Sequence, residues 1–470
     1  MKKLFIVACM LLMFPAFLYA QTPVTKNIFS TSVNDSVPVI VWLPKNYSTE
    51  KRYPVVYEFV YDHVNYITAT ASNMWDIPAV IVVYALIDPG NNYNSPNLTG
   101  NGKNYYAFIK NELINYISKE YSTANFRIAA GLSQGADYLN YILRNDPSLF
   151  NSYLIFSIEH TDYIPDFKSY TGKIKDTISY YIAIANDTKE RMEFANQLFD
   201  SLQTSRYLKI KKKNFPDATH SYSILYALPE ALLFVFEGYN VVRQRVPGES
   251  LIFYYKASVK EKQEKYGNFN YHNIVSEIAR SIDIQKDSIS EVNALLDIVY
   301  SSRESVDIDL FNLGYSLRAK KVYGSAEKAY QMALLKRQET GIINNTSLSI
   351  YFQLHKLYDL QGKADEALKT LQEGYDRTKS WDEGLLYPLG YYYIDKNIDL
   401  KKGIEILKSI QNEKHVFHGF LSKPSDEVLS KIAMGYWELN DRKQAKMFVG
   451  KALNINPKNE TSLKLKALMK

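Results

Sequence analysis

The chain has 470 residues, of which 46% are apolar and 23% charged, so it is long enough for more than one globular domain with an ordinary core. The formal charge is +6, and leaving out Lys2 and Lys3 reduces it by two to +4, which is too small to indicate a nucleic-acid partner. After the first twenty residues no segment has eighteen uninterrupted apolar residues, so no transmembrane span is expected.

The first twenty residues predict a secretory signal peptide. A basic start at 2–3 is followed by an apolar segment at 4–17, and small residues predict cleavage after Ala20. The chain's one cysteine, Cys9, lies inside this segment. A lipoprotein-type cleavage there is disfavoured because too few apolar residues precede it. The mature protein is expected in the periplasm or outside the cell, without disulfides.

Strands alternate with helices over residues 21–242, which predicts an α/β fold with a doubly wound, mostly parallel sheet. An antiparallel pair joined by a turn at 34–36 comes first, and the later strands are apolar enough to be covered on both faces. The predicted strands are 28–33, 37–43, 53–60, 78–84, 126–130, 153–158, 178–185 and 208–215. The predicted helices are 105–121, 136–143, 193–202 and 221–237.

Residues 131–135 have the form Gly-x-Ser-x-Gly and lie between a predicted strand and a predicted helix. A strand, a tight turn and a helix predict a nucleophile elbow, with Ser133 as the nucleophile. Gly131, Gly135 and Ala136 keep the turn free of the collisions that larger side chains would cause. The alternative is a serine-containing turn in an unrelated α/β fold.

A serine hydroxyl needs a base to become a nucleophile at neutral pH, and a carboxylate usually orients that base. His220 is the predicted base because it lies between the last predicted strand and the closing helix. Asp187 follows the strand 178–185 and is the predicted acid, with Glu190 as the runner-up. Asp217 is closer to His220 in sequence, but its loop position is less usual for the acid.

Acyl transfer also needs hydrogen-bond donors for the oxyanion. The backbone N–H of Gln134, directly after the nucleophile, is one predicted donor. The second is expected near Asp62, in the loop after the third strand. The sequence has no zinc-like spacing and no glycine-rich phosphate loop, so neither a metal nor a cofactor is expected.

Helical periodicity replaces the strand pattern beyond Arg243. Residues 243–305 are interpreted as a helical connector, and 306–470 as tetratricopeptide-like helical repeats. Small residues recur at intervals of 41, 36 and 42 residues, at positions where two helices would cross closely; they are Ala326, Ala367, Gly403 and Ala445. The alternative for this region is a generic helical bundle.

Residues from about 25 to 240 resemble the "Putative esterase" family of the α/β-hydrolases. This family includes esterase D, ferric-siderophore esterases, feruloyl and acetyl-xylan esterases, and mycolyltransferases. The segments that carry the resemblance are 43–47, 53–57, 126–135, 146–150 and 219–221. Several bacterial members carry C-terminal tetratricopeptide-like repeats. The resemblance implies a Ser133–His220 pair, with an acid near Asp187, that acts on an ester.

The chain departs from the family pattern around the expected site. Tyr-Asp-His at 61–63 stands where the family often has Asp-Gly, and Leu132 and Ala136 replace a His and a Gly of the elbow. Ser-Ile-Glu-His at 157–160 stands where a Ser-Pro-Ser motif is common.

Two functions follow from these patterns. The first is a secreted or periplasmic serine esterase that acts on an acylated sugar, a siderophore or a similar small ester. The second is a catalytically degenerate hydrolase scaffold that binds a protein partner through its helical repeats. Peptidase activity ranks lower, because nothing in the sequence supplies the propeller or lid domain that oligopeptidases of this fold often use.

Overall fold

The computed structural model of the protein describes residues 23–59, 63–85, 101–159, 177–303, 306–412 and 425–469. The predicted signal peptide and the predicted oxyanion donor near Asp62 lie outside these residues.

Eight strands of the described residues form one sheet in the order β1-β2-β4-β3-β5-β6-β7-β8. They are β1 (Val24–Ser30), β2 (Asp35–Trp42), β3 (Tyr53–Phe59), β4 (Ile81–Ala85), β5 (Thr123–Ser133), β6 (Ser152–Ile158), β7 (Ile178–Ala185) and β8 (Leu208–Phe215). The β1–β2 and β2–β4 pairs are antiparallel, and every other pair is parallel. The predicted doubly wound, mostly parallel sheet is thereby confirmed.

Helices cover both faces of this sheet, as the apolar strands require. They are α1 (Val64–Asn73), α2 (Asn101–Phe108), α3 (Ile114–Glu120), α4 (Gln134–Asn145), α5 (Lys189–Leu202) and α6 (Ser223–Val235), with a π-helical turn, Ile109–Leu113, between α2 and α3. One apolar layer contains buried residues of α2 to α5, such as Phe108, Leu139 and Leu198. The other contains buried residues of α1 and α6, such as Ile67 and Leu228.

The first hairpin turns earlier than its composition predicts. Ser30 pairs with Asp35, so the turn lies at 31–34 instead of 34–36. Asn34 closes it with a φ of 57°, a left-handed conformation that asparagine tolerates better than most residues. The Glu112 carboxylate accepts hydrogen bonds from the Ser32 amide at 3.0 Å and the Ser32 hydroxyl at 2.6 Å, and so fixes this turn from a distant helix.

The chain forms two compact units. One comprises the chain up to Gln244 together with Ala257–Asn273, and the other comprises Arg245–Lys256 together with Ile274–Lys470. Residues 243–305, the predicted connector, therefore fall partly in each unit, and the four-segment division of the chain stays a prediction.

The described residues of the region beyond the sheet form helices joined by turns and loops, without a strand. Its helices are α7 (Leu251–Tyr266), α8 (Tyr271–Ser281), α9 (Ile289–Ser302), α10 (Asp307–Ala319), α11 (Tyr323–Thr340), α12 (Asn345–Leu360), α13 (Ala364–Thr378), α14 (Leu386–Asp395), α15 (Leu400–Asn412), α16 (Ser425–Glu438), α17 (Arg442–Ile455) and α18 (Glu460–Leu468). Among the described helices, none combines the length and the apolar content that crossing a membrane requires.

Helices α10 to α17 pack as consecutive pairs, α10 with α11, α12 with α13, α14 with α15, and α16 with α17. The small residues singled out in the sequence, Ala326, Ala367, Gly403 and Ala445, are buried on the second helix of each pair. A Cβ on Gly403 would lie 2.7 Å from Ile394 of the paired helix, so glycine permits that close crossing. These pairs are the helical hairpins that were predicted, while their assignment as tetratricopeptide repeats stays a prediction.

Candidate active site

Ser133 lies at the sharp turn between β5 and α4, in the middle of the sheet. Its φ of 56° and ψ of −124° are uncommon for a residue with a side chain, and such conformations concentrate at functional sites. The strand ends at Ser133, and the helix begins at Gln134. The side chain is therefore presented at the carboxyl edge of the parallel strands, where α/β folds bind ligands.

Two glycines make this turn sterically feasible. A Cβ on Gly131 would lie 2.6 Å from the carbonyl group of Gly135. A Cβ on Gly135 would lie 1.9 Å from the carbonyl oxygen of Phe59, at the end of β3. Both distances are far below van der Waals contact, so the Gly-x-Ser-x-Gly spacing is required by the turn and by the neighbouring strand.

His220 and Asp187 lie on adjacent loops that follow β8 and β7. The Asn186 amide donates a 2.8 Å hydrogen bond to the Ala218 carbonyl, which joins the two loops. His220 Nδ1 is hydrogen-bonded to Asp187 Oδ2. The Thr188 amide donates to Asp187 Oδ1 at 2.8 Å, so both carboxylate oxygens are held.

The surroundings of Asp187 keep its carboxyl group ionised. Burial raises the pKa of Asp187, but hydrogen bonds from His220, Thr188 and Arg191 outweigh it, and the pKa lies below its ordinary value. An ionised carboxylate on Nδ1 favours the tautomer in which Nδ1 carries the proton. His220 Nε2 is then the nitrogen available to accept one.

The other two acid candidates lie elsewhere. Glu190 is exposed in the first turn of α5, and Asp217 is exposed in the loop before His220. The structure therefore brings Asp187, rather than Glu190, against the imidazole.

Glu159 is the site residue that sequence reasoning missed. It directly follows β6, and its Oε2 accepts a 2.8 Å hydrogen bond from the Ser133 hydroxyl. The same oxygen lies 3.2 Å from His220 Nε2, although this contact lacks the direction of a hydrogen bond. Glu159 thus lies between the predicted nucleophile and the predicted base. The signal in the sequence was the departure at 157–160, which had no role assigned to it.

Arg191, on α5, holds this glutamate in place. Its Nη2 forms an ion pair with Glu159 Oε1, and its Nε lies 3.3 Å from the Glu159 carbonyl oxygen. Its Nη1 lies 3.1 Å from Asp187 Oδ1. Burial lowers the pKa of Arg191, but the hydrogen bond to Asp187 and the charge of Glu159 more than compensate, so the pKa lies above its ordinary value.

The predicted oxyanion donor, the Gln134 backbone N–H, belongs to the first residue of α4. Amides in the first turn of a helix have no partner within the helix, and the helix dipole favours negative charge there. This position suits a developing oxyanion next to Ser133.

A comparison with known proteins adds a family match. Residues 30–223 match the family model described as "Putative esterase". This match supports an ester-hydrolase domain that contains the elbow and His220. None of the curated proteins matches the chain.

Several solved structures are similar. An uncharacterised protein from Capnocytophaga ochracea is 14% identical, with a TM-score of 0.49, over 75% of this chain and 94% of that chain. An IroE-like serine hydrolase from Shewanella oneidensis is 19% identical, with a TM-score of 0.42, over 55% of this chain and 94% of that chain. A siderophore hydrolase from Aspergillus nidulans is 14% identical, with a TM-score of 0.39, over 48% of this chain and 99% of that chain. At such identities and TM-scores, the likeness carries no argument about activity.

Proposed function

We propose that this protein is a serine hydrolase of carboxylic esters that uses Ser133, His220 and Asp187. The observation that supports this most directly is the hydrogen bond between Asp187 and His220 Nδ1, on the loops next to the Ser133 elbow. The family match over residues 30–223 supports the same chemistry. The substrate class we propose is an acylated sugar, a siderophore or a similar small ester.

The reaction proceeds in two halves. Ser133 Oγ attacks the ester carbonyl while His220 Nε2 accepts its proton, and the Gln134 amide stabilises the oxyanion. His220 then returns the proton to the leaving alcohol, which produces an acyl-enzyme on Ser133. Water, deprotonated by His220, attacks that acyl-enzyme, the bond to Ser133 Oγ breaks, and His220 returns the proton to Ser133 as the acid is released. Asp187 holds the imidazole in position and stabilises its charged form throughout.

Glu159 has to move before this reaction begins. Its carboxylate accepts a hydrogen bond from the Ser133 hydroxyl and occupies the space between Ser133 and His220. An ester carbonyl needs to come within about 3–3.5 Å of Ser133 Oγ to react. The arrangement described here is therefore a resting state, and substrate binding displaces the glutamate side chain.

Labelling with a fluorophosphonate probe tests the nucleophile. The wild-type mature chain is expected to be labelled covalently and to hydrolyse short neutral esters, and Ser133→Ala is expected to lose both properties. Ser201→Ala, a change to a serine on α5 whose hydroxyl donates to a helix carbonyl, is the matched control and should keep both. Labelling that persists in Ser133→Ala would contradict the proposal.

A second function is favoured by one specific observation, the occupation of the site by Glu159. If the glutamate does not move, the domain is a catalytically degenerate scaffold, and the helical repeats bind a protein partner. Turnover of any member of a panel of short acyl esters that depends on Ser133 excludes this second function.

The proposed location is the periplasm or the exterior of the cell, after signal-peptide cleavage behind Ala20. N-terminal sequencing of the protein recovered from cells tests it. A mature chain that begins at Gln21 is the expected result, and a chain that retains Met1 contradicts it.

A further inference from the structure

The contact between Glu159 and Arg191 brings a carboxylate to the point where a substrate must bind. One oxygen of Glu159 accepts from Ser133 at 2.8 Å, and the other is ion-paired with Arg191. The Glu159 carboxyl group therefore spans the distance between the predicted nucleophile and the guanidinium. The site is already shaped to hold one carboxylate beside the serine.

Glu159 is attached to the fold in a way that lets its side chain leave. Its backbone is fixed at the end of β6, and its amide lies 3.3 Å from Asp137 Oδ1. Its side chain is 28% exposed, and the contacts described for it are all with residues of the site. Displacement of the carboxylate therefore costs ion-pair and hydrogen-bond energy, but it leaves no cavity in the core.

Arg191 is the residue for which this displacement matters most. After Glu159 leaves, Asp187 still pairs with Nη1, but Nη2 faces the site without a charged partner. The Arg191 side chain is only 25% exposed, so solvent compensates this loss incompletely. A ligand with its own carboxylate restores a charge-assisted hydrogen bond to Nη2, whereas a neutral ligand does not.

On the basis of the proposed serine hydrolase activity, we propose that Arg191 selects esters whose acyl group carries a carboxylate, that is, half-esters of short dicarboxylic acids. The substrate carboxylate takes the place of Glu159 on Arg191, and the ester carbon lies next to Ser133. In the reaction the ester C–O bond breaks and the alcohol takes the proton from His220. Water then cleaves the acyl-enzyme, so the free dicarboxylate is released.

Monoethyl succinate and ethyl butyrate form a matched pair for the test, since both have four-carbon acyl groups and differ by a carboxylate in place of a methyl group. Released acid is titrated for each ester. Wild type is expected to favour the succinate ester in kcat/KM by about tenfold or more, the range of a charged hydrogen bond. Arg191→Met is expected to bring this ratio close to one, and Arg191→Lys to restore part of it. A disturbance of Asp187 by these variants lowers kcat/KM for both esters alike. The ratio of the two kcat/KM values therefore reports specificity alone.

Glu159→Ala removes the internal carboxylate and keeps Arg191. We expect it to raise kcat/KM for ethyl butyrate a few-fold and to keep the preference for the succinate ester. Loss of hydrolysis of both esters to the level of Ser133→Ala would overturn the proposal, because Glu159 would then be needed for the chemistry.

Calorimetric binding of free succinate, with butyrate as the control ligand, provides a measurement that does not depend on turnover. Succinate is expected to bind both wild type and Ser133→Ala, and Arg191→Met is expected to abolish this binding. Absence of succinate binding overturns the specificity proposal. Equal hydrolysis of the two esters overturns it as well, while leaving the serine mechanism intact. If succinate binds but the fluorophosphonate probe does not label the protein, the result counts against the serine mechanism and not against the specificity of Arg191.

Discussion

At the scale of single residues, the site depends on the hydrogen bonds that the Asp187 carboxylate accepts. Asp187 accepts hydrogen bonds from His220, Thr188 and Arg191, and only 8% of its side chain is exposed. Its lowered pKa keeps it charged near neutral pH, so it favours a protonated imidazole when Ser133 gives up its proton. The neighbouring Glu190 is exposed and has no comparable environment.

Asp187→Asn is therefore expected to reduce kcat/KM for a short ester by roughly 10³- to 10⁴-fold, because the amide cannot stabilise the imidazolium and favours the wrong tautomer. Glu190→Gln serves as the matched control and should change kcat/KM by less than about twofold, since surface changes of this kind have small effects. Steady-state kinetics checks both variants. A larger loss of kcat/KM in Glu190→Gln than in Asp187→Asn would indicate that Glu190 is the acid.

Glu58 is a second carboxyl group in an unusual environment, on β3. It is 3% exposed, and its neighbours in register are Tyr84 and Ala130. Within the described part of the chain, neither of its carboxyl oxygens has a hydrogen-bond partner. Burial raises the pKa of Glu58 well above its ordinary value. The charged form is thus favoured in the unfolded chain and disfavoured in the native one.

Glu58 should consequently lower the free energy of unfolding as the pH rises. Above the unfolded-state pKa of 4.5 the unfolded chain has released the proton while the native state keeps it, which costs about 1.4 kcal/mol for each pH unit up to the native pKa. Glu58→Gln removes this dependence. Urea unfolding between pH 4 and 8 is expected to show a variant that gains stability relative to wild type as the pH rises. Parallel profiles for the two proteins would contradict the assignment.

At the scale of elements, strand order explains what could be predicted. Parallel strands bring their carboxyl ends to one edge of the sheet, so residues at the end of β5 and in the loops after β7 and β8 meet there. Ser133 could be proposed from the Gly-x-Ser-x-Gly spacing, and Asp187 and His220 from their positions after predicted strands. Their spatial convergence was therefore predictable, although their chemical roles stay predictions.

The position of Glu159 depends on details that periodicity does not encode. The pairing of β5 with β6 shifts register between Leu132 and Ser133, and Ser157, two residues before Glu159, has a φ of 42°. Both features change the direction in which the chain leaves the strand. The first hairpin differed from its prediction for a similar reason, because its turn is fixed by Glu112, which is 80 residues away.

At the scale of the whole molecule, the sheet unit includes a segment that returns from beyond residue 250. Tyr266 is 1% exposed, and its ring centroid lies 5.3 Å from that of Phe126 and 6.0 Å from that of Phe236. The adjacent Gly267 packs closely enough that a Cβ would lie 2.4 Å from Arg52 Cβ. The sheet unit therefore extends to Asn273 and does not end where its last sheet-covering helix ends.

In a chain that ends after Asn273, Tyr266→Ala is expected to lower the free energy of unfolding by about 3–5 kcal/mol, as for other large-to-small changes of buried aromatic residues. Tyr226→Ala is the control, because that side chain is 52% exposed, and it should cost little. Thermal or urea unfolding measures both. Equal effects of the two substitutions would indicate that the returning segment does not stabilise the sheet unit.

The placement of Glu159 also has an evolutionary consequence. Ser133 is the last residue of β5, and Glu159 directly follows the neighbouring β6. Their proximity is therefore maintained by backbone pairing and does not depend on which side chain stands at 159. Descendants of this sequence can therefore exchange that residue without rearranging the sheet, the elbow or the loops that carry Asp187 and His220. Position 159 is where we expect catalytic efficiency towards neutral esters to diverge first between close relatives that keep the same nucleophile and Arg191.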